Sequence, residues 1–315
     1  MSRNFFIALT FLLFGHFSEA APLQAMITSM QGQVEVLTQT NDSGNDQSKV
    51  IFEGKKYLYA KAKIGQMVTS GQVIRTSTDG KAKAIYKSGD VIVLGPSTAV
   101  SIPAEVQKNS KTETEMQMMY GKVRAIIDKN GPLTNIKVST PSAVAGVRGT
   151  DLVVGYNPAI QQTDVHVLRG KVEVVKVVPE KALPAKSLSV LTGQKAEVSK
   201  TIADVKTSTK VDLANIQQET TVITEQKESV TLEVTQQVAE LEKAAAEKII
   251  EDINRTNPKV AAALKTQALA STDQINSAVV KDLYKDAPKG KPQSGDFNMK
   301  DEDVYKKYFD PILGK

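Results

Sequence analysis

Residues 140–151 read TPSAVAGVRGTD, and no other stretch of the sequence carries as much information about the fold. Pro141 removes a backbone donor and favours an extended or turn geometry. Small residues follow, and the glycines at 146 and 149 allow turns on either side of Arg148. The guanidinium fork is expected to tie two chain segments through carbonyls or a carboxylate, or else to contact a ligand. The candidate motif comprises Thr140, Pro141, Gly146, Arg148, Gly149 and Thr150.

On both sides of this stretch, residues 25–198 have the pattern of strands and turns. Apolar and polar residues alternate in residues 33–36, 81–86 and 163–168, which predicts strands with one buried and one solvated face. The apolar run of residues 91–94 predicts a strand buried on both faces. One short pattern recurs at irregular spacing: a glycine, then a polar residue, then the apolar start of a strand. This pattern favours tight turns in a sandwich-like or irregularly stacked all-β domain. These glycines are Gly32, Gly71, Gly89, Gly121, Gly170 and, in a weaker copy, Gly193.

The composition changes after residue 203: glycine is absent between Gly193 and Gly290, and Glu, Gln, Ala and Thr become frequent. Apolar residues at helical spacing predict a first helix that ends before Asn257. Asn257 suits an N-cap, with Pro258 at the first position of a second helix that runs to about Tyr284. We expect residues 203–285 to form a helical hairpin or coiled-coil extension that acts as a spacer or oligomerisation arm. Residues 286–315 are expected to be a flexible tail with a short amphipathic segment.

The N-terminus has the pattern of an export signal. Arg3 supplies the positive start, an apolar stretch follows over residues 5–17, and Ala20 ends a small-residue cleavage site. The apolar stretch of about 13 residues is shorter than the roughly 20 needed to span a bilayer, so cleavage near Ala20 is favoured over a retained anchor. The predicted domains are the signal peptide 1–20, the β domain 21–200, the helical extension and the tail. The mature chain is expected to be periplasmic or secreted.

Catalytic residue types are scarce. The chain has no cysteine, which excludes disulfides and thiolate chemistry. After processing, His166 is the remaining histidine, and its alternation with valines places it on the polar, solvated face of a strand. A lone histidine supports neither a zinc site nor a Ser–His–Asp arrangement. We therefore expect no enzyme activity, no cofactor and no metal.

Charge is distributed unevenly along the chain. The net charge is +5, and the β region is more basic than the C-terminal region. Such a domain suits anionic partners, namely peptidoglycan, lipopolysaccharide or lipid headgroups, although a solvated surface with scattered lysines has the same composition. Basic residues interspersed with acids and lacking stacking aromatics do not predict nucleic-acid binding. The candidate basic surface comprises Lys55, Lys56, Lys61, Lys63, Lys81 and Lys83.

The order of these motifs resembles the FecR-type domain. Its signature is similar to residues 140–150, Thr-Pro-x-Ala-x-Ala-Gly-Val-Arg-Gly-Thr, followed by an apolar strand. Residues 32–36, 71–76, 87–94 and 167–172 match other elements in the family's order, so the resemblance covers about 25–178. It implies a β-rich periplasmic domain, which in the best-known members relays the occupancy of an outer-membrane transporter to a cytoplasmic sigma factor. The chain departs from that plan, because it shows no cytoplasmic anti-sigma segment and no internal membrane helix.

These observations predict a non-catalytic periplasmic sensor or protein-interaction module, linked to envelope signalling or assembly. Another envelope protein would be its partner, bound at a sheet edge or face, for example by strand addition. The alternative is a binder of anionic envelope polymer through the basic surface, and a hydrolase that uses His166 is the least favoured.

Overall fold

The computed structural model describes residues 23–41, 49–52, 54–108, 111–130, 133, 135–177, 187–199, 206–208, 216, 220, 230–266, 272–275 and 278. The predicted signal peptide and the predicted C-terminal tail lie outside the described residues. Within them the chain is mostly β-sheet, followed by a short helical region, as the sequence predicts.

The strands follow one another from residue 24 to residue 208. In chain order they are β1 (Gln24–Gln31), β2 (Val34–Gln39), β3 (Lys49–Phe52), β4 (Lys55–Lys61), β5 (Met67–Thr69), β6 (Val73–Thr76), β7 (Lys81–Tyr86), β8 (Val91–Leu94), β9 (Ala99–Ser101), β10 (Ala104–Lys108), β11 (Lys111–Ile126), β12 (Ile136–Ser139), β13 (Ala143–Val147), β14 (Asp151–Asn157), β15 (Gln162–Arg169), β16 (Lys171–Lys176), β17 (Ser187–Leu191), β18 (Lys195–Ser199) and β19 (Lys206–Ser208).

The strands pair into three sheets that share β11. Sheet A has the spatial order β5–β1–β7–β8–β11–β14–β15–β18–β19, and all its pairs are antiparallel. Sheet B has the order β3–β4–β2–β6–β9–β11. Sheet C has the order β10–β11–β12–β13–β16–β17, with β11 and β12 parallel.

One large core joins the three sheets in a two-layer arrangement. Inward residues of sheet A, such as Val123 and Val165, pack in one buried cluster with Val36 of sheet B and Val138 of sheet C. Sheet A therefore forms one layer, and sheets B and C form the other. The apolar run of residues 91–94 is buried throughout, as predicted.

A bend at Gly121 lets β11 pass between the layers. Met118 pairs with β9 of sheet B, whereas the segment from Gly121 to Ile126 pairs with β14 of sheet A. Gly121 has a φ of +94°, and an added Cβ would overlap the backbone of Thr98, so glycine is required at the bend. The other recurring glycines identified in the sequence also adopt positive φ.

Two helices follow, α1 (Leu232–Thr256) and α2 (Pro258–Thr266). The predicted boundary between them is confirmed: Asn257 caps α2, accepting a hydrogen bond from the Val260 backbone N–H at 3.3 Å, and Pro258 occupies the first position. Most of the helix predicted before residue 230 and of the helix predicted beyond residue 266 lies outside the described residues. Neither described helix offers an apolar run long enough to cross a bilayer.

The helices pack on the outer face of sheet A. Ala245, Ile249 and Ile253 of α1 form one buried cluster with Ile85 and Val93 of sheet A. The apolar stripe of α1 is thus buried against its own β domain, and the spacer or oligomerisation role of residues 203–285 stays a prediction. We call α1, α2 and residues 272–275 the helical arm.

Candidate interaction surfaces

The candidate motif builds two turns, one at each end of β13. Thr140 and Pro141 lie between β12 and β13, where the Thr140 hydroxyl lies 2.6 Å from that of Thr163 and accepts a hydrogen bond from the Ala143 backbone N–H at 2.9 Å. Thr150 is fully buried in the turn before β14.

The two glycines of the motif have different structural roles. Gly149 adopts a φ of +61°, and an added Cβ would overlap the side chain of Lys129. Gly146 lies inside β13, where an added Cβ would meet no atom closer than the Glu173 carbonyl oxygen at 3.7 Å. The expected turn at Gly146 is therefore wrong, because the chain stays extended there.

Arg148 does not tie the motif together. Its side chain is exposed and makes no hydrogen bond or ion pair with any residue that the structure describes. The buried fork belongs to Arg124 of β11, whose Nε and Nη2 atoms donate to Asp151 at 2.9 and 2.7 Å. Asp151, at the end of residues 140–151, is thus the carboxylate that binds an arginine fork, but the arginine is Arg124 and not Arg148.

His166 is buried, so its expected position on a solvated strand face is wrong. Burial, together with the nearby charges of Lys195 and Lys122, lowers its pKa to about 3. Its Nδ1 atom has no hydrogen-bond partner within the described structure. The outer face of β14 and β15 is covered, and there Ile216 packs on neighbours of His166. A histidine that stays neutral down to low pH supplies no imidazolium to act as a general acid near pH 7.

The six lysines of the candidate basic surface do not form one patch. Four of them are exposed on β4 or just after it, and Lys81 is half-buried at the start of β7. Lys83 is fully buried with 1% of its surface exposed, so its assignment to the surface is wrong. The reason is that the helical arm covers the outer face of β7.

Lys83 fastens the helical arm to sheet A. Its Nζ atom lies 2.6 Å from Glu242 Oε1 of α1 and 2.6 Å from Asp273 Oδ2. Glu242 also accepts hydrogen bonds from the Thr272 hydroxyl at 2.9 Å and the Thr28 hydroxyl at 3.2 Å. We call Lys83, Glu242 and Asp273 the arm clamp. No sequence motif marks it, because its members lie up to 190 positions apart.

A second ion pair anchors the end of α1. Arg169, the last residue of β15, pairs with Asp252 on α1, and Lys129 lies 4.0 Å from the same carboxylate. The apolar contacts of the arm are therefore flanked by buried charges on two sides. Among the described residues, acidic and histidine side chains form no group suited to a metal ion.

The fold and these contacts define a two-layer β protein with a docked helical arm. Residues 72–173 match the model of the FecR family, described as FecR protein, so the resemblance seen in the sequence is confirmed over that range. The match supports a signalling or sensor module.

Two solved structures resemble the chain, both described as candidate anti-sigma factors from Parabacteroides distasonis. The first is 18% identical with a TM-score of 0.38, covering 46% of this chain and 63% of its own. The second is 20% identical with a TM-score of 0.35, covering 43% of this chain and 58% of its own. The chain thus spans less than two thirds of either one. A comparison with curated proteins finds no match.

Proposed function

We propose that the protein is a non-catalytic sensor or protein-interaction module of the FecR type, exported after removal of residues 1–20. It would act in envelope signalling or assembly by binding another envelope protein. The FecR match supports the signalling role, and the export pattern at the N-terminus supports the periplasmic location.

The arm clamp is the observation that carries this proposal. A dock made only of apolar residues would be at least as stable, because buried ion pairs lose their hydration. Three charges at a docking seam give the contact specificity and allow it to be opened by competition for those charges. A partner that displaces the arm would expose the outer face of sheet A, which provides two states for a sensor to switch between.

The edge of sheet C is where a partner strand would add. In the part of the chain that the structure describes, β17 pairs only with β16, so its other edge is available for backbone hydrogen bonds. Leu191, at the end of β17, is an exposed apolar residue on this edge strand. Such a side chain would pack against an added strand.

Photo-crosslinking in intact cells tests the proposal. A photoreactive residue at Ser189, exposed on β17, is expected to give a protein adduct in the periplasmic fraction. The same residue at Thr78, exposed in a turn after β6, serves as the matched control and should give none. Equal labelling at both positions, or recovery of the unprocessed chain from the cytosol, would contradict the proposal.

A second function, binding of an anionic envelope polymer, has one observation in its favour. Lys55, Lys56, Lys61 and Lys63 are exposed within a single short stretch at the end of sheet B. Pull-down with peptidoglycan sacculi should then weaken steeply as salt is raised, since exposed charges are screened.

A further inference from the structure

Strands β3 and β4 form a hairpin, which we call the basic hairpin together with Lys63. Its register places Ile51 opposite Lys56, and Lys49 opposite Leu58. Cross-strand partners share a face of the sheet, so these four side chains lie on one face. On β2 the same face of sheet B closes over the main core through Val36, but at β3 and β4 it is open.

Apolar side chains are unusually exposed on this hairpin. Ile51 is 62% exposed and Leu58 is 37% exposed, and Tyr59, on the opposite face, is 38% exposed. A single exposed apolar residue is ordinary, but a group of them on one element marks an interaction surface.

The basic hairpin is also strongly cationic. Residues 49–63 contain five lysines and one glutamate. A partner that matches this surface would be anionic, and it would also accept apolar side chains between the lysines.

We propose that the basic hairpin docks on an anionic phospholipid surface. Lysines near an anionic leaflet strengthen attachment, while apolar residues between them bury at the boundary of headgroups and acyl chains. A glycan polyanion would use the lysines but gain little from Ile51 and Leu58. This inference rests on the same exposed lysines as the second function proposed above, and it assigns them to a lipid surface instead of a polymer.

Co-sedimentation of the full chain with vesicles tests the proposal. We expect binding to phosphatidylcholine vesicles that contain phosphatidylglycerol, and little binding to phosphatidylcholine alone. The double variant Lys49→Gln/Lys56→Gln should bind the anionic vesicles about 25-fold more weakly, at roughly fivefold per lysine. The double variant Ile51→Ser/Leu58→Ser keeps every charge, yet it should also weaken binding by at least about fivefold.

Lys87→Gln/Lys259→Gln is the matched control, because both lysines are exposed elsewhere and the same charge is removed. It should change binding by less than about threefold. Binding that ignores phosphatidylglycerol, or that falls equally in the control and the lysine double variant, would overturn the proposal. A third outcome separates the two functions. If the chain binds sacculi but not vesicles, and this binding needs the lysines but not Ile51 and Leu58, the lipid proposal is overturned and the anionic-polymer function is preserved. If the chain binds neither vesicles nor sacculi, both the lipid proposal and the anionic-polymer function are refuted.

Discussion

Replacing Lys83 by methionine should release the helical arm. Methionine keeps the apolar stem but removes the ammonium that binds Glu242 and Asp273. Both carboxylates would stay at the seam without a cation. Removing one partner of a buried ion pair costs about 3–5 kcal/mol. The side chains of Glu242 and Asp273 retain 10% and 20% exposure, so water can reach them in part. We therefore expect a loss of about 3 kcal/mol in the free energy of unfolding.

The loss of stability in Lys83→Met should be local to the helical arm. Hydrogen exchange followed by mass spectrometry should show faster exchange in α1 and α2 of Lys83→Met, with β12 and β13 nearly unchanged. Thermal unfolding should show a midpoint roughly 6–12 °C lower, if about 1 kcal/mol corresponds to 2–4 °C in a domain of this size.

A variant that removes all three charges of the arm clamp separates charge from packing. Lys83→Met/Glu242→Gln/Asp273→Asn leaves no unpaired charge at the seam, so most of the stability should return. A Lys83→Met loss below about 1 kcal/mol, or a triple variant as unstable as the single one, would refute the role of the clamp.

Three further measurements address single residues. The folded pKa of about 3 for His166 lies below its unfolded value; stability is therefore complete above about pH 6.5 and falls as the pH is lowered, by about 2 kcal/mol at about pH 5. Urea unfolding of His166→Gln should lack that part of the acid sensitivity, and an unchanged pH dependence would contradict the assignment. Gly149→Ala should destabilise the protein by about 1–3 kcal/mol, whereas Gly146→Ala should change its stability by less than about 0.5 kcal/mol. Equal losses of stability in urea unfolding would show that the two glycines do not differ in structural role. Arg124→Met should lower the free energy of unfolding by about 3–5 kcal/mol, and Arg148→Ala by less than about 0.5 kcal/mol. If Arg148→Ala instead lowers the denaturant midpoint more than Arg124→Met, the structural role belongs to Arg148.

The sequence predicted the features that depend on local chemistry. Glycine turns, the buried run of residues 91–94 and the Asn257–Pro258 boundary all follow from backbone preferences within a few residues. The residues of the candidate motif were likewise recognisable from their order. Their contacts in the fold could not be predicted, because the arginine that binds Asp151 lies on another strand.

The alternation of polar and apolar residues predicts the wrong solvent exposure wherever a later segment of the chain covers the polar face of a strand. The patterns around Lys83 and His166 correctly predicted strands, but period two distinguishes polar from apolar faces and not solvated from covered ones. The sequence gives no local sign that Glu242 and Asp273 will neutralise Lys83. Such long-range charge pairing emerges only when the helical arm is seen in place.

The sharing of β11 among all three sheets has a consequence for assembly. A chain cut before residue 111 would leave β8 and β9 each with one open edge, and β10 without its strand partner among the described residues. The β body therefore has no natural point of division, and its halves should acquire structure together rather than one after the other. While the chain is being synthesised, the strands before residue 111 keep open edges until β11 follows, and this is the interval in which a chaperone would matter most.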